Sequence, residues 1–330
     1  MVVSFGAGIL PALLPTDREQ DVDLHWAAHA IDLARQADYR TSPNPMVGAV
    51  LVDAEGLLAG EGYHQLAGRP HAEEEALAAA GERARGATLY VNLEPCAHEH
   101  RSPSCAQALI DAGVRRVVVS MADPDERVRG AGLRLLESAG VETTVGVHEE
   151  RAQKLNEFYV KHRITGRPFV TAKFAMSLDG KIATRTKESR WITGEEARAH
   201  AHRLRRMHDA ILVGVNTVID DDPELTVRID GEESRQPLRV VVDSQLRIRQ
   251  SAKIVGANTL IATTRQGRMG AAEVLRLPAG ADGRVALPPL LDELGKRACS
   301  ACSSRAAPRS MPRSSPKAWW TRSMPTSRPV

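Results

Sequence analysis

The stretch TLYVNLEPCAHEHRSPSCAQALIDAG, residues 88–113, decides the fold of the first half of the chain. The apolar run at 88–93 predicts a buried strand. Residues 104–112 have the apolar spacing of a short helix and end at a glycine. Cys96 therefore follows a strand end, and Cys105 lies at a helix start, which favours an α/β domain with a site at the ends of its elements.

Strand and helix patterns alternate on both sides of this stretch. The alternation predicts a layered α/β domain with a mostly parallel sheet. The predicted helices are 24–37, 72–83, 130–139 and 149–164, and the further strands are 47–53, 57–62, 115–120 and 141–147.

A second α/β unit follows the break at Gly166-Arg167-Pro168, which we take as the domain boundary. Two domains fit a chain of 330 residues. No internal repeat is visible. The predicted strands of this unit are 169–176, 210–215, 239–243 and 259–264, and its helix runs from 194 to about 208.

The charge of the chain is unevenly distributed. The formal net charge is +3, but residues 298–330 contain six basic and no acidic side chains, so residues 1–297 carry 3 − 6 = −3. A nucleic-acid reader would carry a basic face on its folded part, so we expect a small-molecule substrate and no nucleic-acid partner.

The four cysteines do not form the pattern of a disulfide framework, which favours a reducing cytoplasm. No apolar run reaches the roughly 18 residues that span a bilayer, so we expect no membrane partner. Residues 1–23 contain no basic segment before their apolar run and are interpreted as an N-terminal extension rather than a signal peptide.

The segment 298–330 is rich in Ser, Pro and Arg and has no strand or helix period, which predicts a disordered tail. The second domain, 167–297, therefore looks truncated. We hypothesise a change of reading frame near residue 298, which sequencing the gene from independent isolates would test.

The strongest chemical signal is His71-Ala72-Glu73 together with Glu94-Pro95-Cys96 and Cys105. An H-x-E motif followed by P-C and a second cysteine is the signature of zinc deaminases. One histidine and two cysteines supply three ligands and leave the fourth tetrahedral position for water, which is the catalytic arrangement. A helix N-terminus favours the thiolate that Cys105 needs as a ligand.

Glu73 lies two residues beyond His71 and is not needed as a ligand. It is placed to take a proton from the attacking water and to deliver it to the departing nitrogen. There are two alternatives. In the first, His71 is a surface histidine with its hydrogen bonds satisfied, and Cys96 and Cys105 are buried as small hydrophobic residues. In the second, the zinc site is structural and His98 or His100 is the fourth ligand.

The two cysteines are nine positions apart, whereas nucleoside and tRNA deaminases use a short C-x-x-C. With TSPNPMVG at 41–48 and EGYHQLAGRPHAE at 61–73, this wide loop closely resembles the bifunctional deaminase/reductase family of riboflavin biosynthesis. KFAMSLDGKIA (173–183), ESRWITG (188–194) and DDDPELTVR (220–228) are similar to the reductase half of that family.

The resemblance implies a cytidine-deaminase-like three-layer domain at 24–166 and a dihydrofolate-reductase-like domain after it, here incomplete. That family hydrolyses the 2-amino group of 2,5-diamino-6-ribosylamino-4(3H)-pyrimidinone 5′-phosphate with Zn²⁺, then reduces the ribosyl to a ribityl group with NADPH. It implies deaminase substrate contacts at Asn44, His64, His98 and Arg101.

For the reductase half, the resemblance places Ser189, Arg205, Leu225 and Arg228 near the substrate. It places Ala175, Trp191, Thr217, Asp221 and Ser244 near NADPH. Two features depart from the family. His100 stands where the family usually has glycine, and the tail replaces a strand, a Glu-Gly-Gly turn and a phosphate-cradling helix. Reductase activity is therefore doubtful in this chain.

Three alternatives stay open at this point: a deaminase without reductase activity, a tRNA or nucleoside deaminase, and a non-catalytic zinc-stabilised binding module. The oligomeric state is also open, with a homo-oligomer among the possibilities.

Overall fold

The computed structural model describes residues 17–98, 103–126, 128–177, 193–229, 235–305 and 322–325. Within them the chain forms two α/β domains. The helices of the first domain are α1 (Asp17–Ala34), α2 (Ala72–Ala80), α3 (Cys105–Asp111), α4 (Ala131–Ser138), α5 (Glu149–Leu155) and α6 (Glu157–Thr165). Its strands are β1 (Gly48–Val52), β2 (Leu58–Tyr63), β3 (Thr88–Val91), β4 (Arg116–Val119) and β5 (Glu142–Val145).

The first sheet has the strand order β2-β1-β3-β4-β5. β1 is antiparallel to both β2 and β3, whereas β3, β4 and β5 are parallel. The expectation of a mostly parallel sheet in this domain is therefore wrong. A turn at Gly56, with φ +82°, folds β1 and β2 into a hairpin, and a hairpin makes its strands antiparallel.

Helices cover both faces of this sheet, which gives three layers. Alternate residues of β1 face opposite sides: Ala49 and Leu51 pack with α2, α3 and α4, whereas Val50 and Val52 pack against α1. All four are at most 4% exposed. The apolar run of β1 is continuous because a strand between two helix layers has no solvent face.

Helix α1 begins earlier than the sequence predicts. Residues 17–23, assigned above to an N-terminal extension, form its first turns. Asp23 is buried and accepts hydrogen bonds from Arg116 at 2.8 Å and from the Tyr90 hydroxyl at 3.0 Å. The error arises because apolar spacing starts only at Leu24, while the preceding polar residues also tolerate a helix.

The predicted helix at 149–164 is two helices, separated at Asn156. The buried Asn156 side chain accepts a hydrogen bond from the Met46 N–H at 2.8 Å and donates to the Met46 carbonyl at 2.9 Å. This tertiary contact lies at the helix break, and periodicity along one segment cannot reveal it.

The second domain contains α7 (Glu195–Arg206), α8 (Val215–Asp221) and α9 (Leu287–Lys296). Its strand order is β10-β9-β8-β7-β11-β6-β12, and all described pairs are parallel. The strands are β6 (Phe169–Phe174), β7 (Ala210–Gly214), β8 (Leu238–Val242), β9 (Thr259–Thr263), β10 (Glu273–Arg276), β11 (Ala301–Arg305) and β12 (Arg322–Pro325).

Strand β11 corrects the prediction of a structureless tail after residue 297. It lies between β6 and β7, and Ala301 and Cys302 are fully buried. The second domain therefore extends at least to residue 305, and β12 adds an edge strand beside β6. The local composition of 298–305 gave no strand signal, because a strand enclosed between two others is stabilised chiefly by its neighbours. Residues 306–321 and 326–330 lie outside the described residues.

Besides β11 and β12, three elements of the second domain have no counterpart in the prediction: α8, β10 and α9. Helix α8 has seven residues, several of them β-branched, which gives a weak helical pattern. Helix α9 packs Leu290, Leu291 and Leu294 against one face of the second sheet. Within the part of the chain that the structure describes, no helix has the length and apolarity to cross a bilayer.

Leu290 tests the packing of α9. It is fully buried, so Leu290→Ala should lower the free energy of unfolding of the second domain by about 2–5 kcal/mol, measured by urea denaturation. The control is Leu287→Ala in the same helix, where the side chain is 37% exposed and the expected loss is below about 1 kcal/mol. Equal losses would contradict the described orientation of the helix.

Candidate active site

His71 is held at the N-terminal end of α2. Its backbone N–H donates to Glu74 Oε2 at 2.7 Å, a contact that fixes the first turn of the helix. The ring of His64 packs edge-on against the His71 ring, with 5.5 Å between centroids. The backbone of His71 is thereby held by Glu74, and its ring is held by the ring of His64.

Cys96 lies in the segment that follows β3, and Cys105 is the first residue of α3. Both side chains lie close to the His71 ring. Cys105 Sγ lies 3.1 Å from His71 Nδ1, and Cys96 Sγ lies 3.9 Å from it. The three ligand atoms lie within 4.8 Å of one another. The Ala106 N–H donates to the Cys96 carbonyl at 3.1 Å, which ties the two cysteine segments together.

The two thiols have opposite electrostatic environments. The Cys105 thiol and then the His71 ring lower the pKa of Cys96, whereas hydrogen bonding to Cys96 and burial raise the pKa of Cys105. The Cys105 backbone N–H, at the N-terminus of α3, donates to Cys96 Sγ at 3.3 Å. The helix start thus offers this amide to the sulfur of Cys96, and the expectation that it also favours a thiolate at Cys105 stays a prediction.

Hydrogen bonding to Cys96 raises the pKa of His71 to about 9. An imidazolium cannot bind a metal through its protonated nitrogen, so metal binding at this site must displace protons. A nitrogen and two sulfurs at this separation form a donor set that fits zinc.

Glu73 is only 3% exposed and follows His71 in the first turn of α2. Burial raises the pKa of Glu73 to about 7, and the negative charge of Cys96 acts in the same direction. A carboxyl group whose pKa is close to physiological pH can both accept and release a proton.

His98 is exposed and does not belong to the cluster of potential ligands. Among the described residues, the cluster therefore contains three protein ligands, which argues against a closed structural site with His98 as the fourth. His100 and Arg101 lie outside the described residues.

Asn44 and His64 lie together beside His71. Asn44 Nδ2 is 3.5 Å from His64 Nε2, and His64 Nδ1 is 2.9 Å from the Pro70 carbonyl. His64 is 3% exposed, and burial lowers its pKa. Two predicted substrate contacts are thus adjacent to a predicted metal ligand.

Glu94 supports the site and was quoted in the motif without a role. Its buried carboxylate accepts three backbone N–H groups, from Asp123 at 3.1 Å, Gly130 at 2.9 Å and Gly132 at 3.0 Å. Glu94 therefore joins the segment that carries Cys96 to the start of α4. A charged residue directly after an apolar strand was the available signal, because a buried charge requires such partners.

Asn92 and Asn156 support the segment that carries Asn44, and the sequence reasoning missed both. Asn92 accepts from the Gly48 N–H at 2.8 Å and donates to the Met46 carbonyl at 2.9 Å. Asn156 holds both backbone groups of Met46. No sequence signal points to these contacts, because they join positions 44 to 110 residues apart.

The predicted substrate residues of the second domain lie around the segment after α8. Arg205 on α7 donates to the Thr226 carbonyl, and Arg228 donates to Thr226 Oγ1 at 3.1 Å. Leu225 is buried with φ +56°. Arg205, Leu225 and Arg228 are therefore brought together in space.

The predicted NADPH residues lie along the carboxyl edge of the second sheet. Ala175 follows β6, Thr217 and Asp221 lie one turn apart on α8 after β7, and Ser244 follows β8. This edge of a parallel sheet is where α/β proteins usually bind ligands. Ser189 and Trp191 lie outside the described residues.

The first domain combines a mixed five-stranded sheet with a cluster of three potential zinc ligands, and a second α/β domain with a parallel sheet follows it. This combination places the protein in the class of zinc-dependent deaminases that carry a second α/β domain. Residues 20–121 match the cytidine and deoxycytidylate deaminase zinc-binding region. Residues 168–301 match the RibD C-terminal domain.

The riboflavin biosynthesis protein RibD of Aquifex aeolicus is 48% identical over 250 residues, which are 75% of this chain and 70% of that protein. The protein of the same name from Escherichia coli is 42% identical over 301 residues, covering 87% and 82%. A structure of Acinetobacter baumannii RibD has 40% identity and a TM-score of 0.80, covering 87% of this chain and 81% of that one.

The chain belongs to the RibD family of riboflavin biosynthesis. Both parts of that bifunctional family are present, a zinc-dependent deaminase domain and an NADPH-dependent reductase domain. The expected cytidine-deaminase-like and reductase-like folds are confirmed.

Gly132 tests the support of the cysteine segment. A Cβ at this position would lie 1.9 Å from the Pro95 carbonyl oxygen, so Gly132→Ala must displace the segment or the helix. We expect a loss of about 1–3 kcal/mol in stability and a lower zinc content, measured by thermal denaturation and metal analysis. Gly194→Ala is the control, because within the described part of the chain no heavy atom beyond its sequence neighbours lies within 4 Å of its added Cβ. A normal zinc content in Gly132→Ala would contradict this role.

Proposed function

We propose that the first domain hydrolytically removes a ring amino group from a small pyrimidine nucleotide. A Thermotoga maritima structure with 33% identity and a TM-score of 0.79 is described as a diaminohydroxyphosphoribosylaminopyrimidine deaminase and 5-amino-6-(5-phosphoribosylamino)uracil reductase. The observation that carries the proposal is the placement of buried Glu73 beside the cluster of His71, Cys96 and Cys105.

In this proposal His71, Cys96 and Cys105 hold the zinc ion. Bound zinc supplies Lewis-acid activation of water at neutral pH. Glu73 accepts the proton of the attacking water and passes it to the amino group that leaves as ammonia. Its raised pKa suits both steps, because the same carboxyl group must bind the proton and then release it.

Asn44 and His64 orient the pyrimidine. The amide of Asn44 offers a donor and an acceptor to the ring edge, and the contact with His64 limits the rotation of that amide. His98 and Arg101 are proposed as further substrate contacts, with Arg101 binding the phosphate. The proposed substrate is thus a small molecule, and the proposed setting is the cytoplasm, in keeping with four free cysteines.

Glu73→Gln should reduce ammonia release from the pyrimidine nucleotide by at least about 100-fold, because the amide cannot transfer the proton. Zinc content, measured by metal analysis, should stay at the wild-type level because Glu73 is not a ligand. The matched control is Glu75→Gln in the same helix. Glu75 packs over Gly62 of β2 and is not part of the ligand cluster, so its change should leave ammonia release at the wild-type level. Wild-type protein that released ammonia only from tRNA would refute the proposed substrate.

We propose that the reductase step is impaired in this chain. Arg205 and Arg228 suit a phosphorylated sugar, and NADPH supplies a hydride when bound at the carboxyl edge of the second sheet. However, residues 298–330 contain no glycine, whereas the family's phosphate-binding turn after this strand is Glu-Gly-Gly. Among the described residues, strand β11 corresponds to the strand of that family segment.

Ammonia release and NADPH oxidation should therefore be uncoupled. With substrate and NADPH both present, ammonia should accumulate while the absorbance of NADPH at its characteristic wavelength falls slowly or not at all. As a control, deaminated product from a separate reaction is supplied directly, so that a slow first step cannot limit the second. Oxidation that keeps pace with ammonia release would contradict the proposed impairment.

A further inference from the structure

The segment that carries Asn44 is held by the second domain as well as by the first. We call residues 41–46 the substrate loop. Within the first domain, Asn92 and Asn156 bind its last residue, Met46. At its other end, the Ser42 hydroxyl donates to Asp209 Oδ1 at 2.6 Å. Asp209 belongs to the second domain and directly precedes β7.

Asp209 is built into the core of the second domain. It is 4% exposed, and its Oδ2 accepts from the Ser300 N–H at 2.8 Å and from the Ala301 N–H at 3.0 Å. Its own N–H donates to the Ala301 carbonyl at 3.0 Å. A carboxylate with this many fixed donors cannot follow movements of a neighbouring loop, so it acts as a rigid anchor.

Arg235 completes the contact. Its Nη1 lies 3.1 Å from Asp209 Oδ1 and 3.3 Å from the Ser42 carbonyl. The Ser300 hydroxyl also lies 3.0 Å from the Ser42 hydroxyl. Both the side chain and the backbone of Ser42 are therefore bound by groups of the second domain.

The contact lies far along the fold from the proposed NADPH edge. Asp209 precedes β7, so it lies at the amino end of the parallel sheet, whereas Thr217 and Asp221 follow the carboxyl end of the same strand. A change at Asp209 can thus affect the substrate loop from the end of the strand opposite to these two proposed NADPH residues.

We propose that Asp209 is a positioning residue for deamination: through Ser42 it fixes the substrate loop and so the place of Asn44. The second domain then supports the chemistry of the first, whatever its own reductase activity. This inference rests on the proposed deaminase function for its kinetic consequence. Its structural part, an ordered loop that depends on Asp209, stands separately.

The test uses the full chain with Ser42→Ala, Ser42→Thr, Asp209→Asn and the double variant of Ser42→Ala with Asp209→Asn. Asp209→Asn keeps the shape but turns an amide nitrogen towards Arg235 or the donors of Ser300 and Ala301. We expect the deaminase KM to rise about tenfold in both Ser42→Ala and Asp209→Asn. Zinc content and kcat should stay close to wild type, and Ser42→Thr, which keeps the hydroxyl, should retain the wild-type KM.

The double variant should be no worse than the poorer single variant, since Ser42→Ala removes the same contact that Asp209→Asn weakens by taking away the charged acceptor. The control is Asp292→Asn, the same change in the same domain. Asp292 pairs with Arg167 away from the substrate loop and should leave KM unchanged. Additive losses in the double variant, or a wild-type KM in Ser42→Ala, would overturn the proposal.

Amide hydrogen exchange, followed by mass spectrometry without substrate, separates the two hypotheses. Residues 41–46 should exchange faster in Ser42→Ala and Asp209→Asn, while the peptide that covers α2 should exchange as in the wild type. Unchanged exchange of residues 41–46 would overturn the positioning role. If wild-type protein releases no ammonia from the nucleotide, the proposed function fails, and the exchange result still decides whether Asp209 orders the loop.

Discussion

The site depends on holding one nitrogen and two sulfurs within 4.8 Å of one another. These atoms come from three separate segments, and each is fixed by packing of a helix on the first sheet. The close approach of α4 to Pro95, which only a glycine at 132 permits, sets the position of Cys96. Electrostatics then follows from geometry, because each sulfur atom is close enough to shift the pKa of the other.

The same packing explains why Glu73 is suited to proton transfer. Its carboxyl group is buried by the elements that assemble the ligands, and burial destabilises the ionised form by more than the nearby His71 ring and the Cys105 thiol stabilise it. Around this centre, buried polar side chains hold neighbouring segments in place by hydrogen bonds: Glu94 binds the start of α4, and Asn92 and Asn156 bind Met46. The second domain adds the hydrogen bond between Asp209 and Ser42, so both domains hold the segments around the deaminase site.

Several features were predictable from local sequence, and others were not. The zinc motif was recognisable because its residues are close in sequence and lie at a strand end and two helix starts. Helix α1 was predicted with a late start, since its first turns are polar, and the break at Asn156 was missed because the hydrogen bonds made there join residues 110 positions apart. Strand β11 was missed for a similar reason. Its residues show no clear alternation of apolar and polar side chains, and its pairing with β6 and β7, which are remote in sequence, stabilises it as a strand.

The sequence by itself determined most strands and helices of the first domain, the choice of His71, Cys96 and Cys105 as candidate ligands with Glu73 beside them, and the family to which the chain belongs. These follow from side-chain chemistry and from short-range spacing, which the primary structure contains directly. Only the tertiary structure decided the mixed pairing of the first sheet, the burial of Glu73, the hydrogen bond from the Cys105 amide to the Cys96 sulfur and the hydrogen bond between Ser42 and Asp209. Each of these depends on the distance between groups remote in sequence, and the folded chain alone sets that distance.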